Sequence, residues 1–256
     1  MHTLPHEITT QDIHGLLDGM ESRKLAIATR KGYLSALKKY LSVTQTSPTA
    51  FDNLIVRMPQ DLRPCVDWYT PDQAIHLLQC PKSPLQSIVI HCELCLGMRR
   101  VEIIRLRPAD IHESDRFIDV RGKGPAGGKM RSIPYAAETD KIMKLALRRR
   151  AEMIRDVNGD IPENLILWKK AGKVHPYSEE GYGLDKVVTL PLSEQLGFRV
   201  TNHKGRRTFG RSLYRAGVPV PTIAKILGHD STEVTLRYIG VDLDDMRKAM
   251  EVQLYA

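Results

Sequence analysis

The sequence lacks the features that would place a chain in a membrane or an oxidising compartment. No apolar run reaches the ~18 residues a membrane span needs; the nearest candidate, Ser87 to Met98, is interrupted by His91 and Glu93. Four cysteines in 256 residues do not build a disulfide scaffold, so reduced thiols in a cytosol are expected. Met1 to Gln11 carries no charged-then-apolar signal pattern, and a cytoplasmic protein is the expectation. Cys92 and Cys95 form a CxxC without a second pair at zinc spacing, inside an apolar helical segment, which reads as buried core thiols and no metal site. His2, His6, His91 and His112 are scattered and suggest no role. Gly122-Lys123-Gly124 is followed by proline, and Gly127-Gly128-Lys129 also fails as a phosphate loop, so no nucleotide cofactor is expected.

What is present is an ordinary globular composition, 42% hydrophobic and 27% charged, with length for one or two domains and a real core. Acidic residues are the minority charge: 38 Lys+Arg face 30 Asp+Glu, for a net +8. The surplus is uneven. Between Arg199 and Arg237, eight basic residues meet only Asp230 and Glu233, so this window alone carries +6. Such a balance favours an anionic partner such as nucleic acid.

Periodicity and caps predict a small helical unit over residues 1–60, a linker over 61–69 and a second domain over 70–256. In the first, a segment opens at Thr9-Thr10-Gln11-Asp12, and a longer helix from Thr29 to Val43 places Tyr33, Leu34, Leu37, Tyr40 and Leu41 on one face. Its other face, with Arg30, Lys31, Lys38 and Lys39, is either solvated or laid against a phosphate backbone. A third helix is expected over Phe51 to Met58. Thr70, Pro71 and Gln73 form a strong helix start for Asp72 to Gln79. Further helices are expected over Pro84 to Leu96 with Gly97 as cap, Val101 to Leu106, Ala136 to Arg155, Asn202 to Ala216, Pro221 to Leu227, Ser231 to Tyr238 and Val241 to Leu254. Phe117 to Val120 and Met130 to Pro134 read as a β-hairpin with a glycine-rich tip over Gly122 to Gly128. Residues 156–198 give no clear pattern. The fold class is therefore mainly α with a small β-hairpin, an α+β chain.

Residues with strong phosphate chemistry recur at element ends: Arg99 beyond a helix cap, Lys123 at the hairpin tip, His203 and Arg206 three apart on one helix face, His229 after a glycine cap, and Tyr238. Singly, each has a structural explanation, Arg99 as a surface charge and Tyr238 as a core aromatic. In order, they resemble the tyrosine recombinase (phage integrase) family. The matching text is LGMRRVEIIRLRPADI, the hairpin VRGKG…KMRSIP, HKGRRTFGRSLYRAGV and ILGHDSTEVTLRYIG. Spacings of 24 from Arg99 to Lys123, three from His203 to Arg206, 23 on to His229 and nine on to Tyr238 agree with the family. The similarity covers about residues 70 to 256 and, more weakly, 9 to 58. Gly205 stands where a bulkier apolar residue is usual, and Arg207 where histidine is frequent; both departures are expected to affect packing more than roles.

The resemblance implies a catalytic domain preceded by a small helical core-binding domain, the two clamping duplex DNA. It implies strand cleavage and rejoining through a 3′-phosphotyrosine, with no metal and no cofactor, in a site-specific recombinase or integrase of a prokaryotic or mobile element. By position Tyr238 is the nucleophile, Arg99 and Arg206 the arginine pair, Lys123 the lysine, His203 and His229 the two histidines, and Glu102 the acidic support of the first arginine. The residue types suit the chemistry. Guanidinium groups offer paired donors to the charge that builds on non-bridging oxygens. A phenol ionising near 10 needs help losing its proton; His203 is the candidate base, and the arginine field would itself favour the phenolate. The leaving 5′-oxygen needs a proton, which Lys123 is expected to deliver, and His229 is expected to hydrogen-bond the phosphate. The resemblance further implies a homotetramer on double-stranded DNA at synapsis and a monomer when free. Leu243, Met246, Met250 and Leu254, at helical spacing, would dock on a neighbouring subunit or pack on their own domain. A relaxing enzyme of type IB topoisomerase kind and a non-catalytic DNA-binding relative are the rival readings; a pure binder has no need of Tyr238.

Overall fold

A computed structural model describes residues 8–44, 67–122, 129–240, 245–247 and 250–251. The expected helix Phe51 to Met58, residues 61–66 of the linker, Lys123 with the rest of the hairpin tip to Gly128, Leu243 and Leu254 lie outside the described residues. The chain divides into two compact units, residues 1–64 and 65–256.

In the first unit, α1 (Thr10–Ser22) and α2 (Ile27–Thr44) are described. Thr9 caps α1 and exchanges hydrogen bonds with Asp12, satisfying donors that a helix start leaves open. Ile13, Met20, Leu34 and Leu41 are buried. The expected faces of α2 need correction. Tyr33 and Tyr40 are exposed, while Arg30 is buried and paired with Glu21 at 2.9 Å. At 100° per residue Arg30, Leu34, Leu37 and Leu41 share one narrow stripe, with the tyrosines at its edge. Partnering by Glu21 is what allows the arginine into that stripe.

The second unit begins with α3 (Pro71–Gln79), whose Thr70–Gln73 capping box and leading proline are present as expected. The apolar α4 (Pro84–Leu94) follows and is buried almost all round. It ends two residues early, and Gly97 carries the left-handed φ of +60°. After α5 (Arg100–Arg105), strands β1 (Ile111–His112), β2 (Phe117–Arg121) and β3 (Met130–Pro134) form a three-stranded antiparallel sheet, with Ile118 opposite Ile133. Helix α6 (Ala137–Ile154) packs on α4. The stretch 156–198 folds into a second hairpin, β4 (Leu167–Lys170) with β5 (Lys173–Pro176), then α7 (Gly183–Val187) and α8 (Thr189–Leu196). Three helices close the unit: α9 (Asn202–Arg215), α10 (Val220–Leu227) and α11 (Thr232–Ile239).

The main core gathers Leu77, Ile88, Val89, Leu96, Ile103, Ile118 and Met143 beneath the sheet and helices. A satellite cluster of Ile223, Leu227 and Ile239, with Phe209 and Tyr238 against it, ties α9, α10 and α11 together. Among the described residues no helix is long and apolar enough to cross a membrane. Cys92 is a buried free thiol and Cys95 a half-buried one; burial raises both thiol pKa values, that of Cys95 to about 11.

Candidate active site

The site is built where α5, β3 and α9 to α11 meet, and its centre is a buried carboxylate. Arg99 is the N-cap of α5 and Glu102 its third residue, so one turn of helix brings them together. Glu102 accepts from the Arg99 backbone N–H and from Arg99 Nη1, each at 2.7 Å. Arg131 on β3 adds a bidentate pair, both bonds 2.8 Å, and its Nε donates to the Ile226 carbonyl. Arg206 on α9 stands 3.5 Å from the same carboxylate. Burial by itself would raise the Glu102 pKa, but hydrogen bonds and charge from Arg131, the charge of Arg206 and the Arg99 N–H outweigh it and hold the group at about 2. Three guanidinium groups on one carboxylate leave a surplus of positive charge facing the site.

Arg206 is 1% exposed, and it is fixed rather than merely present. Its two terminal nitrogens donate to the carbonyls of Gly97, in the turn after α4, and Leu227, the last residue of α10. The close approach depends on Gly97, where a Cβ would sit 2.4 Å from Phe209 Cδ1. Gly228 is constrained likewise: its φ is +64° and a Cβ would press on Arg131 at 3.1 Å. Burial and the charge of Arg99, opposed by Glu102, push the Arg206 pKa down to about 10, so it remains a cation at neutral pH.

His229 follows Gly228. Burial first, then Arg206, Arg99 and Arg131, lower its pKa to about 4, so the ring is neutral at pH 7. Its hydrogen bonds define the tautomer: Arg206 Nη2 donates to Nε2 at 3.3 Å, leaving Nδ1–H to donate to Thr235 Oγ1 at 2.9 Å. Tyr238, on α11, meets the His229 ring edge-on with centroids 5.0 Å apart. The guanidinium carbons of Arg206 and Arg207 lie 5.8 and 5.4 Å from its ring centroid. The Tyr238 hydroxyl is buried with no hydrogen bond of full geometry among the described residues, although Arg206 approaches it. Burial raises its pKa, while Arg206, Arg207 and Arg99 pull the other way. His203, at the first turn of α9, has its pKa lowered by desolvation of its ring and by Arg207, Arg206, Arg99 and Arg100, which favours the neutral ring.

Arg99, Glu102, Arg206, His229 and Tyr238 are thus brought together, and His203 lies one turn before Arg206. Two residues with a part in this geometry, Arg131 and Thr235, were not singled out from the sequence. Arg131 carried a readable signal, since it shares the inward parity of β3 with the core residue Ile133, where a charge needs a partner. Thr235, fully buried, orients His229. Arg207 was expected to matter through packing, but its guanidinium faces Tyr238. The other departure, Gly205, has a packing cause: a Cβ there would meet Glu93 at 3.0 Å, and the buried Glu93 carboxyl, its pKa raised well above the usual range by burial, fills that space.

The family model for the phage integrase family matches residues 67–244. The chain belongs to the phage integrase family. It is 30% identical over 156 residues to the tyrosine recombinase XerC of Myxococcus xanthus, covering 60% of this chain and half the length of that relative. It is 31% identical over 222 residues to the putative integrase/recombinase y4eF of Sinorhizobium fredii, covering 86% of this chain and 81% of that one. Among solved structures, the fold is similar to that of the Tn1549 transposon integrase in complex with circular intermediate DNA, with a TM-score of 0.66, 20% identity, and coverage of 95% of this chain and 85% of that one.

Proposed function

We propose that this chain is a site-specific DNA recombinase that cuts and rejoins duplex DNA through a covalent 3′-phosphotyrosine at Tyr238. The observation that carries the proposal is the convergence of Arg99, Arg206 and His229 beside Tyr238, whose buried hydroxyl has no hydrogen bond of full geometry among the described residues. The membership of the phage integrase family and the likeness to an integrase bound to DNA support the substrate class.

The step balances without an external energy source. Tyr238 Oη attacks the phosphorus, and its proton passes to His203. The Oη–P bond forms as the P–O5′ bond breaks, and the leaving oxygen takes a proton from the Lys123 ammonium. Arg99 and Arg206 hold the non-bridging oxygens, where losing one preorganised donor typically costs about 10²–10³ in rate. A phosphate arriving between Arg206 and His229 replaces the Arg206–His229 contact and favours protonation of that ring, which then becomes a donor. One phosphate ester is exchanged for another, so the bond energy is retained for rejoining. Residues 1–60 serve as a DNA-binding domain and 70–256 as the catalytic domain. Recombination joins two duplexes, so the acting form is a homotetramer on DNA, assembled through the segment bearing Leu243, Met246, Met250 and Leu254; Met246 and Met250 are exposed.

Guanidinium groups neutralise the charge that a metal would otherwise meet. Incubation with a pool of nicked suicide duplexes should therefore yield covalent protein–DNA adducts in excess EDTA and without ATP. A strict requirement for Mg²⁺ in adduct formation would overturn the mechanism.

A further inference from the structure

Beyond the residues that face Tyr238, the guanidinium of Arg105 is committed in all directions. It lies at the end of α5, one turn after Glu102. Its Nε and Nη2 donate to the two carboxylate oxygens of Glu179, both at 2.6 Å, and Nη1 donates to the Gly122 carbonyl at 2.8 Å. That carbonyl belongs to the peptide bond joining Gly122 to Lys123. Gly122 is also held through its N–H, which donates to Lys129 O at 3.0 Å and closes the hairpin ladder.

Glu179 is itself anchored. Its backbone carbonyl accepts from Arg100 Nη2 at 2.6 Å, and Arg100 Nη1 reaches the Gly181 carbonyl at 2.5 Å. Arg100 also pairs with Asp185 at 3.7 Å, and Asp185 accepts a hydrogen bond from Asn202, the residue before His203. A single polar chain thus runs from the base of the hairpin, through the bend at 179–181, to the start of α9. The Arg105–Glu179 pair is partly exposed, and exposed ion pairs contribute little to folding. A planar fork that binds two oxygens and a carbonyl at once fixes direction, which a lysine cannot do.

We propose that Arg105, held by Glu179, is a positioning residue that sets the hairpin base so that Lys123 reaches the leaving 5′-oxygen. The proposal rests on the reading of Lys123 as the proton donor in strand cleavage. It assigns Arg105 no contact with the reacting atoms.

The test compares single-turnover cleavage of two suicide duplexes, one with the natural 5′-bridging oxygen and one with a 5′-bridging sulfur, which leaves without a proton. Arg105→Gln and Glu179→Gln should each slow the oxygen substrate about 10–100-fold, the range expected when a reacting group is misplaced by about an ångström. Both should cleave the sulfur substrate near the parent rate, as should Lys123→Ala. Arg105→Gln combined with Lys123→Ala should be no slower on oxygen than Lys123→Ala alone, because both act on one step. Duplex affinity and melting temperature should stay near the parent's. If Lys123→Ala is rescued by sulfur and Arg105→Gln is equally slow on both substrates, the positioning role is overturned while the Lys123 reading stands. If Lys123→Ala is not rescued, the Lys123 reading fails and takes the inference with it.

Discussion

Tyr238→Phe should abolish covalent capture of DNA and leave duplex binding close to the parent's. Only a hydroxyl is lost, and removal of a covalent nucleophile lowers rate by at least about 10⁴-fold. The ring keeps its contacts with His229, Arg206 and Arg207, so the surrounding geometry is retained. Because that hydroxyl is buried with no hydrogen bond of full geometry among the described residues, its removal should not lower stability, and the melting temperature should hold or rise. Gel-resolved adduct yield and thermal melting of the same preparations check both halves. Adducts formed by the phenylalanine variant would place the nucleophile elsewhere, with Tyr214 and Tyr255 the alternatives.

Glu102→Gln should give the largest combined loss of stability and activity among single substitutions at the site. The carboxylate accepts from Arg99 and Arg131 and lies beside Arg206. Removing one partner from a buried ionic cluster leaves the others uncompensated, at a cost of about 3–5 kcal/mol. The pH dependence has a definite sign. A carboxyl whose folded pKa is depressed stabilises the fold above its unfolded pKa, and that stability is lost as pH falls through the folded value. For Glu102 the window runs from its ordinary value of 4.5 down to about 2, worth about 3 kcal/mol at 1.36 kcal/mol per pH unit. The parent should therefore exceed the variant in denaturant stability at neutral pH, and the gap should shrink as pH drops below 4.5. Cleavage at neutral pH should fall on the order of 10²–10³-fold, because Arg99 and Arg206 lose their common anchor. Equal stability of parent and variant from pH 7 to pH 2 would contradict the role given to Glu102.

The legible parts of the sequence were those where local chemistry and tertiary demand agree. The Thr70–Gln73 capping box, the glycines after α4, α9 and α10, and the alternating hairpin strands each have a local cause, and each is found in the structure. The stretch 156–198 was opaque for a physical reason. Its hairpin turns at Ala171 and Gly172, with φ of 48° and 76°, and alanine in the left-handed region is not a residue that advertises such a turn. The faces of α2 were misread because burial of Arg30 depends on Glu21, a partner on another helix. At the site, the ordered set from Arg99 to Tyr238 was readable because its spacing is a family property. Arg131 was legible only as an inward-facing charge on β3 in need of a partner, and Thr235 not at all, since their roles are to hold other side chains. Such roles appear only when β3 is placed against α5 and α11.

The most direct measurement is the identity of the residue joined to DNA. Adduct trapped on a suicide duplex, digested with nuclease and protease and sequenced by mass spectrometry, should carry its phosphonucleotide on the peptide containing Tyr238, bonded through a phenolic oxygen and stable to hydroxylamine. A phosphonucleotide on Tyr214, on Tyr255, on a serine or on a histidine would contradict the assignment of Tyr238 as the nucleophile.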